Sequence, residues 1–351
     1  MMVERVRLSL IAAAALSAAS LAGCGGGEPQ VEDPTSAERN FSDEEPTPPP
    51  PGNTGQTAQK SPSSADLQRG KAHLEEGKFA EAKDLLEKAR AGDPKNVEAA
   101  FYLALAKEKL GDKAGAEQAY MDALKLDPKL AEAAANLTAL YLEEPARPDE
   151  AIKILKDMLA KVPKDTALMT NLAYAYTLKK DVANASKQYE AILAGGGGGV
   201  DVRLAYGQLL LDAGQKEKAA EQLKKGLEAA QKDAPILITL GLLLGQAGAF
   251  GDCVKAFDKA IAVKSDHPEP YVRRGICRHE LNDEAGARSD YEAAIKIKPD
   301  FAAAHYYLGV SWMVDKKYPN AKAELTKAST LAGDSELGKR ARQKLSELPK
   351  K

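Results

Sequence analysis

Few residues in this 351-residue chain are equipped for chemistry: three cysteines and four histidines. Cys24 closes an apolar run of 15 residues, Leu8–Ala22, which follows Arg5 and Arg7. That run has the form of a secretory signal and falls short of the ~20 residues a membrane-crossing helix needs. His73, His267, His279 and His305 are scattered, and neither His-Glu-x-x-His nor Cys-x-x-Cys occurs. Gly-x-x-x-x-Gly-Lys-Ser/Thr, Gly-x-Gly-x-x-Gly after a strand and Gly-x-Ser-x-Gly are also missing. The tract Gly195–Gly199 has no following lysine for a phosphate. These residues predict no catalytic group, no metal site and no cofactor. Lys plus Arg number 49 against 51 Asp plus Glu, a net charge of −2, which argues against a nucleic-acid footprint. Three cysteines cannot make a disulfide scaffold, and 44% hydrophobic residues suffice for a packed core.

The end of the apolar run, Leu21-Ala22-Gly23-Cys24, resembles the lipobox of bacterial lipoproteins. The resemblance implies a glyceride on the Cys24 thiol, cleavage of residues 1–23, and acylation of the new amine. Two or more acyl chains anchor stably, at ~0.8 kcal/mol per buried methylene. In enterobacteria an Asp after the lipidated cysteine retains the protein in the inner membrane. Gly25 stands there, so the resemblance implies an outer-membrane anchor facing the periplasm. Residues 25–62 hold eight prolines, seven acidic residues and two basic ones. Such a stretch buries too little surface to offset its ordering entropy. Residues 24–62 are therefore expected to be the lipidated cysteine and a disordered acidic tether, spanning ~35 Å as a flexible coil.

The rest of the chain repeats. Gly77 and Gly111 are 34 apart, as are Gly214 and Gly248, and Pro94 and Pro128 share that spacing. Numbered within a 34-residue unit, residues 97–130 carry Leu103 at position 7, Ala104 at 8, Ala116 at 20, Tyr120 at 24, Ala123 at 27 and Pro128 at 32. Residues 268–301 carry Tyr271 at 4, Gly275 at 8, Ala287 at 20, Tyr291 at 24, Ala294 at 27 and Pro299 at 32. Residues 302–335 place His305, Leu308, Gly309, Trp312, Ala321, Leu325 and Ala328 in the corresponding slots. This pattern resembles the tetratricopeptide repeat (TPR). The register runs 63–96, 97–130, 131–165, 166–199, 200–233, 234–267, 268–301 and 302–335, with one inserted residue in the Glu143–Pro148 turn.

The resemblance implies an all-α fold, a right-handed solenoid of eight helix-turn-helix units over 63–335. Residues 336–351 are expected to form a capping helix whose charged face (Lys339, Arg340, Arg342, Lys344) solvates the end of the array. Small residues at 8, 20 and 27 let helices approach, and large ones at 4, 7, 11 and 24 fill the gaps. Proline at 32 ends the second helix. Residues 166–267 lack that proline, and the five glycines at 195–199 leave open a break into two halves. Cys253 and Cys277 take positions 20 and 10, slots that usually hold alanine. They read as small buried residues; a disulfide between them stays open for an exported protein, the Cα separation being beyond sequence.

First helices line the concave face of such arrays. The slots that face it select Phe101, Tyr102, Leu105, Asn136, Asn171, Tyr174, Leu204, Gln208, Leu211, Ile238, Leu242, Arg273, Ile276, His279, Tyr306, Tyr307, Val310 and Met313. A largely apolar groove of this kind suits a helix or an extended segment of a protein partner. Leu67 and Lys71 occupy positions 5 and 9 of the first repeat, so the family's carboxylate clamp is not expected. The resemblance thus implies a non-catalytic, membrane-anchored scaffold that aids assembly of an envelope complex, as pilotin-type TPR lipoproteins do for secretin rings. The alternatives are an accessory subunit of a peptidoglycan or glycan enzyme and a spacer that forms homo-oligomers.

Overall fold

A computed structural model describes residues 62–143 and 145–349. The expected signal peptide (1–23), Cys24 and the tether as far as residue 61 lie outside the described residues. Pro62, expected to end the tether, instead opens the first helix, a position where proline's missing amide and fixed φ cost nothing.

The described residues form helices and no strand. In chain order these are α1 (Pro62–Glu75), α2 (Phe79–Gly92), α3 (Val97–Lys109), α4 (Lys113–Leu126), α5 (Ala131–Leu142), α6 (Pro148–Leu159), α7 (Thr166–Leu178), α8 (Val182–Ala194) and α9 (Val200–Asp212). There follow α10 (Lys216–Ala229), α11 (Ala234–Gln246), α12 (Phe250–Val263), α13 (Pro268–Glu280), α14 (Glu284–Ile297), α15 (Ala302–Val314), α16 (Tyr318–Ala332) and α17 (Glu336–Glu347). The architecture is an all-α solenoid of helical hairpins. The chain divides into two compact units, one ending at Leu140 and one running from Tyr141. The boundary falls inside α5 and not at the glycine tract.

One contact recurs along the hairpins and explains the 34-residue spacing. A Cβ added to Gly70, Gly207, Gly241, Gly275 or Gly309, all at position 8, would lie 2.5–2.8 Å from the side chain at position 24 of the same repeat. Those partners are Leu86, Leu223, Phe257, Tyr291 and Leu325, each almost completely buried. A first helix without a side chain at 8 thus receives the large residue of its second helix. Position 20 holds Ala82, Ala116, Ala151, Ala185, Ala219, Cys253, Ala287 and Ala321, and each has 0% exposure.

Turns are as regular. Position 15 has positive φ in seven repeats: at Gly77, Gly111, Gly214 and Gly248, and also at Lys180, Asn282 and Lys316. The next residue then caps the second helix where it is aspartate, with Asp112 accepting from the Gly115 amide and Asp283 from that of Gly286, both at 2.9 Å. At position 34, Asn96, Asp165 and Asp233 cap the following first helix. Of the three second helices without the proline, α10 and α12 still stop at position 30, with Ala230 and Lys264 turning to extended backbone next, and α8 stops at Ala194 before the glycine tract. Of the glycine tract, Gly196 and Gly198 take positive φ, and a Cβ on Gly198 would strike Val202 at 2.4 Å and Ile192 at 2.8 Å. The tract is a tight turn. Beyond it the Tyr189 and Tyr206 rings stack at 5.4 Å, and Tyr206 donates to Glu190 at 2.7 Å.

The chain's last helix, α17, is capped by Ser335 and seats Ala341 on Tyr306, Leu325 and Ala328. It covers the apolar end that the last hairpin would otherwise expose.

Candidate functional site

The eighteen groove candidates lie on first helices, and burial divides them. Six are buried: Leu105, Asn171, Tyr174, Leu204, Gln208 and Tyr306. The other twelve are half-buried. In the unit ending at Leu140, Phe101 packs edge-on against Tyr102 at 5.4 Å, and the Lys71 ammonium sits 4.8 Å above the Tyr102 ring while pairing with Glu98. That ion pair's hydrogen bond holds the Lys71 ammonium above its ordinary pKa. Asn136 is half-buried on α5.

In the unit from Tyr141, Leu211, Ile238, Leu242, Ile276, Val310 and Met313 are half-buried on α9, α11, α13 and α15. Tyr306 belongs to the core beneath α17, where Arg340 lies 5.1 Å from its ring. Its neighbour Tyr307 is half-buried and stacks on Tyr291 at 5.9 Å. Gln208 donates to Asp212 at 2.7 Å, and its carbonyl oxygen is buried without a partner. Arg273 pairs with Glu269 at 2.6 Å.

His279 meets Glu284, which also accepts from the Ser311 hydroxyl. Arg288 reaches both Ser311 at 3.2 Å and Asp315 at 2.9 Å, and its guanidinium covers the Trp312 ring at 4.6 Å. Serine, glutamate and histidine are thus together, but the carboxylate is the middle member. Nucleophilic catalysis places the imidazole there, between hydroxyl and acid. The contacts found here tie α13, α14 and α15 together. Among the described residues no group of three or more His, Cys, Asp and Glu is placed to hold a metal ion, and no helix is long and apolar enough to cross a membrane.

Family models described as tetratricopeptide repeat match residues 67–131, 200–233 and 280–334. These are tetratricopeptide repeats. A TPR protein from Parabacteroides merdae superposes with a TM-score of 0.50 at 16% identity, covering 71% of this chain and 98% of its own, which supports the fold alone. Among curated relatives, cellulose synthase operon protein C of Xanthomonas axonopodis pv. citri is 27% identical over 62% of this chain and 15% of its own length. Protein FlbA of Caulobacter vibrioides is 27% identical over 62% of this chain and 31% of its own length. The chain therefore spans less than a third of either relative.

Within the TPR frame two features depart from what the sequence suggested. Cys253 and Cys277 are disulfide-bonded across α12 and α13, with Cα atoms 6.3 Å apart. Their reading as alanine stand-ins is corrected: the two small slots face one another across adjacent repeats, inside the usual Cα range for a disulfide. Next to them, the buried Asp290 carboxylate accepts from Arg274 at 2.5 Å and Arg278 at 2.8 Å, and Arg274 also reaches Asp258 at 2.6 Å. Two carboxylates keep the Arg274 guanidinium firmly charged despite its partial burial. The i, i+4 spacing of Arg274 and Arg278 was the available signal; their shared acceptor lies on another helix, which local spacing does not reveal.

Proposed function

We propose that this chain is a lipid-anchored, non-catalytic TPR scaffold that holds a protein partner and assists assembly of a cell-envelope complex. TPR repeats serve protein–protein interaction, and the observation that carries the finer reading is the half-buried apolar row Leu211, Ile238, Leu242, Ile276, Val310 and Met313 on successive first helices. A row of this kind suits the apolar face of a partner helix or an extended segment. Tyr307 borders it; Tyr306 supports the cap, and Tyr307, Val310 and Met313 also pack against that cap cluster with one side. Two further features agree with an exported protein: the Leu21–Cys24 lipobox in the sequence and the disulfide between Cys253 and Cys277. The tether carries −5 and would link the array to the anchoring leaflet, which we place at the outer membrane's periplasmic face. A pilotin-like role in ring assembly is the narrower form of this proposal.

Affinity capture from detergent-solubilised membranes tests it. A stoichiometric protein partner that is lost with Ile276→Ala plus Val310→Ala, while the thermal melt is retained, supports the groove. Retention on cell-wall sacculus with its hydrolysis would favour the enzyme-subunit alternative, and self-association alone would favour the spacer. The anchor has a separate test: Cys24→Ser should release the chain from membranes or leave it unprocessed. If membrane fractionation and processing are both unchanged, the lipoprotein assignment is wrong.

A further inference from the structure

Charge is unevenly placed along the array. Residues 315–351 hold ten lysines and arginines against five acidic residues, a net +5 in a chain whose total is −2. The five acids are all engaged. Asp315 pairs with Arg288 and Glu324 with His305, both from outside this cluster of cations. Asp334 pairs with Arg342, Glu336 with Lys339 and Glu347 with Lys344. Lys316, Lys322 and Lys327 are exposed with no carboxylate within ion-pair distance. Lys317 is exposed beside the Trp312 ring, whereas Arg340 is half-buried over the Tyr306 ring with its Nη1 enclosed. Four lysines on α16 and the turn before it therefore present charge that nothing in the described structure neutralises.

We propose that α16, α17 and the Val314–Lys317 turn form a face that docks on an anionic phospholipid leaflet. The contact is independent of the Cys24 lipid and of the groove. Three observations favour lipid over other polyanions. The cations are spread along exposed backbone and do not converge on one point, which suits a diffuse field of headgroups. Lysine dominates, and lysine is depleted from protein–protein interfaces, where arginine and aromatics are enriched. The chain as a whole is slightly acidic, unlike a nucleic-acid-binding domain. The apolar side of α17 is already spent on Tyr306, Leu325 and Ala328, so the face binds by charge and does not insert. Its affinity should accordingly fall steeply with ionic strength.

The test uses the mature chain from residue 24 carrying Cys24→Ser, so that neither the apolar Leu8–Ala22 run nor an acyl group contributes, in flotation with phosphatidylglycerol-containing vesicles and with phosphatidylcholine vesicles. Binding only to the former, reversed by salt, is the expected result. Each lysine near an anionic surface contributes about fivefold, so Lys316→Gln, Lys322→Gln and Lys327→Gln together should weaken binding about 100-fold. A matched triple on α10 (Lys216→Gln, Lys218→Gln, Lys224→Gln) should leave it unchanged, and both variants should melt like the parent. Equal binding to phosphatidylcholine, equal loss in the two triples, or equally tight binding of a short DNA duplex overturns the proposal. Failure here leaves the groove and the lipobox to stand on their own tests.

Discussion

At the scale of single residues, the same backbone position is filled by different side chains, and physical chemistry predicts the difference. Position 15 requires the left-handed region, which costs a non-glycine L-residue about 1–2 kcal/mol. Lys180 stands there at φ 57°. Lys180→Gly should therefore raise stability by about 1 kcal/mol in urea denaturation, and Gly248→Ala at the equivalent place should lower it by a similar amount. A second prediction concerns the stacked tyrosines beside the glycine turn. Burial pushes the phenols of Tyr189 and Tyr206 up to about 12. The unfolded chain ionises them near 10, so the folded state keeps two protons that the unfolded state gives up. Their contribution to stability is fully present below pH 10 and is lost as pH rises through about 12. Tyrosinate absorbance should show these two titrating late, together with a falling denaturation midpoint over that window; two ordinary titrations near 10 would contradict the burial of these rings. Much at this scale was legible in advance: the alanines at position 20 and the small residues at 8 follow from the resemblance to the repeat pattern. The orphaned carbonyl of Gln208 and the burial of Tyr306 were not, because a slot number does not say whether the next helix covers it.

Helix pairs show which contacts repeat spacing encodes and which depend on particular neighbours. Hairpin register was readable, since positions 8 and 24 belong to one repeat. Contacts between neighbouring repeats were harder. Cys253 looked like alanine because seven other repeats place alanine there; its partner only becomes evident once α12 and α13 are brought side by side. Closing a loop of 24 residues removes enough unfolded-chain entropy to stabilise the fold by about 3 kcal/mol in the chain-entropy model. Reducing agent, or Cys253→Ala with Cys277→Ala, should lower the denaturation midpoint of the unit from Tyr141 by that order. A melt insensitive to reductant would show the thiols free. The Asp290 network is a second inter-helix tie, joining α12, α13 and α14 through Asp258, Arg274, Arg278 and Asp290.

At the scale of the whole molecule, the near-zero net charge conceals an acidic tether and a basic C-terminal end, and the count of 351 residues conceals one unit copied many times. The glycine tract, the most conspicuous interruption in the sequence, is a packed turn, whereas the boundary between compact units falls inside α5, two residues before the Glu143–Pro148 turn that holds the one inserted residue of the register. The recurrence of the 8-to-24 contact has one more consequence. Because successive hairpins present equivalent faces, excising residues 200–233 leaves Gly199 joined to Ala234 with the 34-residue register intact. Such a deletion should yield a folded protein with helical circular dichroism reduced in proportion and melting still cooperative, whereas removing half a repeat should not. A gene built this way can lengthen or shorten by unequal crossing-over in steps of one hairpin, so the reach of the scaffold can be inherited as a copy number.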